Sequence, residues 1–60
     1  MSITSKELSW IEDQLSLEQL MVKKYKIAEN LTKDEALKIK IRDAGERHQK
    51  HYNKLLSHLN

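Results

Sequence analysis

The stretch Asn30-Leu31-Thr32-Lys33-Asp34-Glu35 decides how this chain folds. It separates two long helical patterns by a connection with room for little more than a reversal. Asn30 fits the left-handed position that often ends a helix. Thr32-Lys33-Asp34-Glu35, preceded by Leu31, reads as a capping box, in which a Thr hydroxyl serves the first free amides and the Glu reaches back. Asp34 and Glu35 also suit the positive end of the helix dipole. The same grammar opens the chain. Thr4-Ser5-Lys6-Glu7 is a second capping box, with Ile3 and Leu8 placed to form a hydrophobic staple. These signals predict a first helix from about Ser5 to Glu29 and a second from about Lys33 to Leu59, each roughly 37 Å long at 1.5 Å per residue. Joined so closely, the two must run antiparallel. The expected fold is an all-α antiparallel helical hairpin, a single domain spanning residues 1–60.

Composition agrees with long helices, since the 60 residues include no Pro and one Gly. They also include no Cys, which excludes disulfides and thiolate metal sites. Eleven basic and nine acidic residues leave a net charge of +2 with both signs interspersed. That is a solvated surface rather than a nucleic-acid stripe. Lys23, Lys24 and Lys26, and again Lys38, Lys40 and Arg42, form small basic clusters diluted by Glu29, Asp43 and Glu46. No basic segment followed by an apolar run opens the sequence, so no signal peptide is expected. No apolar run is long enough to span a membrane. The default expectation is a cytoplasmic or other cell-internal location, without nucleic-acid or membrane partners.

Helical spacing sorts the side chains by face. Leu8, Ile11, Leu15, Val22 and Tyr25 form one stripe of the first helix. Trp10, Leu17, Met21 and Ala28 widen it, and Leu20 and Ile27 widen it further. One neighbouring helix covers an arc near 100°, and this arc is wider. A chain this short also buries only about 60% of its unfolded surface. Both arguments predict a homodimer, most simply a two-fold four-helix bundle. The second helix presents Leu37, Ile41, Ala44, His48, His51, Leu55 and Leu59 at bundle-seam spacing. Gly45 lies at the edge of that stripe, either a weak spot in the helix or a point of close approach.

Three polar residues fall inside these stripes: Glu18 between Leu15 and Val22, and His48 and His51 at i and i+3 on the second helix. An unpaired buried carboxylate is very unfavourable, so Glu18 must be paired, protonated or metal-bound. One reading is a set of hydrogen bonds among Glu18, the histidines, Tyr25 or Tyr52, and water. The other is a metal site of Glu18, His48 and His51, whose carboxylate and imidazole donors suit Fe, Mn or Zn. Counting from a turn near Leu31 puts Glu18 level with Ala44 and about 6 Å short of His48. His58 reads as a solvated partner of the helix dipole. No phosphate loop, nucleophile–base pair or cofactor fingerprint is present, and nothing points to catalysis.

The stretches from Glu7 to Leu15, Glu18-Gln19-Leu20, Lys23-Lys24-Tyr25 and His48-Gln49-Lys50-His51-Tyr52, the last leading into Leu55 to Leu59, resemble the small spore coat proteins of the Coat F type. The resemblance covers nearly the whole chain, least distinctively from Ala28 to Asp34. It implies a spore or spore-coat association, with other coat proteins as partners, and a relation to the ferritin and rubrerythrin superfamily of four-helix bundles. Glu18 and Tyr25 match that superfamily's ligand Glu and the Tyr seven residues on. His51 matches the His of its Glu-x-x-His motif, while His48 stands where the carboxylate belongs. Loss of that bridging carboxylate argues against di-iron chemistry and leaves a single-metal or relic site as what the resemblance implies.

Overall fold

A computed structural model describes residues 3–59, which form two α-helices and no strand. α1 spans Ser5–Leu31 and α2 spans Glu35–Ser57. They pack side by side into a rod of 47 × 15 × 11 Å. The all-α hairpin is as expected, and among the described residues no helix is long and apolar enough to cross a membrane.

The first capping box forms as read. The Glu7 amide donates to the Thr4 hydroxyl at 3.1 Å, and the Thr4 amide donates to the Glu7 carboxylate at 3.2 Å. Hydrogen bonding to the Thr4 side chain and backbone amide holds the Glu7 carboxyl below its ordinary pKa. Ile3 and Leu8, the expected staple, both remain exposed.

The turn differs in detail. Asn30 does not end α1 in a left-handed conformation, because no described non-glycine residue has a positive φ. The helix continues to Leu31, and Thr32 caps its carboxyl end with extended backbone (φ −80°, ψ 140°). Thr32 is therefore not the N-cap of α2. That role falls to Asp34, whose carboxylate accepts the Leu37 amide at 3.0 Å. Thr32 still donates its own amide to the Ala28 carbonyl at 3.0 Å, which binds it to the end of α1. An Asp two residues later offers an acceptor that also carries charge at the positive end of the dipole. At the other end α2 stops at Ser57 rather than Leu59. His58 and Leu59 donate to the carbonyls of Leu55 and Leu56, three residues back, and tighten the last turn.

Gly45 marks a close approach. A Cβ built there would lie 3.1 Å from the Cβ of Tyr25, below ordinary van der Waals contact. The missing side chain lets α2 settle against α1 at this level. Around it the core is thin. Leu55 is the only described apolar residue that is buried, at 9% exposure, and no described side chain is fully enclosed.

Candidate functional site: a carboxylate held between two histidines

Glu18 is the most buried residue of α1, at 8% exposure. The apolar positions around it, Ile11, Leu15 and Val22, turn that face of α1 toward α2 and carry Glu18 with them. On α2, His48 and His51 are one turn apart and face the same carboxylate. The Nδ1 atom of His48 lies 2.7 Å from Oε2 of Glu18, and Nδ1 of His51 lies 2.9 Å from Oε1. The structure therefore brings together all three residues singled out from the sequence.

The counted register was short. Lys33, not Leu31, lies midway between Glu18 and His48, so the centre of the turn falls two residues later. That advances α2 by about four residues, roughly 6 Å at 1.5 Å per residue, and closes the expected gap. The cause is the local chemistry of the turn: α1 continues past Asn30, and α2 waits for Asp34 to cap it.

The bonding fixes protonation. An ionised carboxylate only accepts, so each Nδ1 facing it carries hydrogen. Both histidines are then Nδ1–H tautomers, with Nε2 left as an acceptor or as the site of a further proton. Burial pushes the Glu18 carboxyl up, but the hydrogen bonds and charge of His48 and His51 outweigh it and leave its pKa lowered. The two histidines differ in solvation. The His48 side chain is 30% exposed and that of His51 54%. The ring of Tyr25 stacks on His48, with centroids 5.3 Å apart and planes 22° from parallel. Next to the triad, the Gln19 amide donates to the Tyr52 hydroxyl at 3.2 Å. Further along, Arg42 donates to Glu29 through Nε at 3.0 Å and through its terminal nitrogen at 2.9 Å. One member of the second basic cluster is thus already paired.

Tyr25 and Tyr52, the expected hydrogen-bond partners of the triad, make other contacts. Tyr25 stacks on His48 rather than bonding to Glu18, and Tyr52 accepts from Gln19. Neither contact leaves a periodic signal in sequence. Both carboxylate oxygens of Glu18 are engaged by ring N–H groups, and among the described residues no group of three or more His, Cys, Asp or Glu is arranged to hold a metal ion. In this form the triad is a charge-assisted clasp between helices. The chain matches no protein-family model, no curated protein and no solved structure.

Proposed function

We propose that this chain is a small structural or interaction protein that works by self-association and performs no catalysis. Its unit is a homodimer of hairpins, for which the resemblance implies a four-helix bundle of the ferritin-like kind. The observation that carries the reading is the imbalance of apolar burial. Leu55 is buried, whereas Trp10, Leu17, Leu20 and Ile27 are 48–59% exposed. All four lie on one face of α1, and large apolar side chains clustered on an exposed face mark an interaction surface. A 60-residue chain without disulfides also needs another source of stability, and association supplies it. The resemblance to Coat F type proteins supports a location in the cytoplasm or in the spore coat, with other coat proteins as further partners. Size exclusion with light scattering at micromolar concentration tests the central claim. A dimer is the expected result, and a folded monomer would overturn it.

A second reading, favoured by the meeting of Glu18, His48 and His51 at one point, is a metal-binding bundle with redox or storage chemistry. Iron, manganese or zinc would displace the Nδ1 protons, because ligands bind deprotonated. Elemental mass spectrometry on untagged protein purified without chelators separates the readings. Near-stoichiometric metal that disappears in Glu18→Ala supports the second, and metal-free dimer supports the first.

A further inference from the structure

The far side of α1 carries a second seam, turned away from α2. Trp10, Asp13, Leu17, Leu20, Lys24 and Ile27 follow one another in steps of three and four residues, and every one is exposed. Alternating steps of three and four are the a/d repeat by which one helix packs on another. α2 offers no equivalent, since its exposed large apolar residues, Leu37, Ile39 and Leu56, do not recur in steps of three and four.

From this we infer that α1 pairs antiparallel with α1 of a second copy, about a two-fold axis midway between Leu17 and Leu20. The inference rests on the self-association reading above, fixes its face, direction and register, and sets the four helices in a row, α2, α1, α1, α2, in place of the closed bundle that the resemblance implies. In that register Leu17 meets the partner's Leu20, and Trp10 meets the partner's Ile27. Asp13 meets the partner's Lys24, and the symmetry repeats that ion pair on the other side of the axis. An a position faces a d position at each level. Two charges interrupt an otherwise apolar seam, and this alignment brings them together with opposite sign. A parallel pairing in register sets Asp13 against the partner's Asp13 and Lys24 against the partner's Lys24, placing like charges together twice. The seam is therefore complementary to itself in one direction. Each α2 lies outside the central α1 pair, so the Glu18 clasps stay within their own hairpins.

Sedimentation equilibrium on the whole chain tests this through a charge swap. Asp13→Lys and Lys24→Asp, each alone, create two like-charge pairs and remove two attractive ones, and should each weaken the dimer about ten-fold. The double variant restores opposite signs and should return the affinity to near wild type. A wild-type dimer indifferent to the single swaps, or a double variant no better than either single one, overturns this register while leaving self-association standing. A monomeric wild type overturns both. The chain has no cysteine of its own, so disulfide capture gives a second measurement. Leu17→Cys mixed with Leu20→Cys should oxidise mainly to the mixed dimer, and a predominance of like-with-like dimers overturns the register.

Discussion

His48 Nδ1 and Glu18 Oε2 meet at 2.7 Å across the hairpin, and this is the shortest polar contact between the helices. With the His51 bond to the other carboxylate oxygen, it turns the most buried charged side chain among the described residues into a link between α1 and α2. Replacing His48 by Leu removes one of the two donors. The expected loss is about 1.5 kcal/mol, at the low end for a hydrogen bond to a charged group because the ring is partly solvated. Replacing Glu18 by Ala removes both bonds and should lose more. Denaturant melts of the two variants at one protein concentration check the order.

Acid should loosen the hairpin through the same residue. The folded Glu18 carboxyl has a pKa below its ordinary value of 4.5, so the folded state gives up this proton more readily than the unfolded chain. The stabilisation is complete above the unfolded value and is lost as pH falls through the folded one. Melting temperature followed from neutral pH down to about pH 3 should fall in that window. The fall should be shallower in Glu18→Ala.

Both histidines should be Nδ1–H tautomers when neutral, because each faces a group that only accepts. Nitrogen chemical shifts of the imidazole rings report this directly. Glu18→Gln can accept only one of the two N–H groups through its single carbonyl oxygen. At least one ring should then shift toward the other tautomer. Wild-type spectra with Nε2–H at both rings would contradict the assignment.

Gly45→Ala sets two known effects against each other. Alanine improves helix propensity by about 1 kcal/mol. Its Cβ would sit 3.1 Å from the Tyr25 Cβ, an atom fixed to the α1 backbone that cannot swing aside. The helices must part, which weakens the Tyr25–His48 stack, and overpacking of this kind costs about 1–3 kcal/mol. The expected result is a net loss of stability, with a lower melting midpoint in urea. A gain would mean that α2 slides past Tyr25 without penalty.

The two candidate caps of α2 can be told apart by alanine. Asp34→Ala should cost about 1 kcal/mol, the usual loss on removing an N-cap acceptor. Thr32→Ala should change little, since it is the Thr32 backbone amide that bonds to Ala28. Urea melts of the two variants measure the difference, and equal losses would restore Thr32 to the capping role.

By itself the sequence determined the two helices, the reversal between them and the placement of Glu18, His48 and His51 on the helix faces that meet. These depend on residue spacing along one helix and on hydrogen-bonding residues within a few positions of each end, and both are local. The same locality explains the Thr32 and Asn30 readings. Two competing acceptors stood two residues apart, and sequence grammar fits either. Only the tertiary structure decided which of them capped α2, and so where the turn was centred and which residues met. A shift of two residues in the turn moves every contact between the helices by about a helical turn. Glu18 against the histidines, Tyr25 flat on His48 and Gly45 beneath Tyr25 all depend on that register. The hydrogen-bonded form of the Glu18 triad was likewise decided in three dimensions, because a bond angle between side chains on different helices has no counterpart in the spacing of residues along either one.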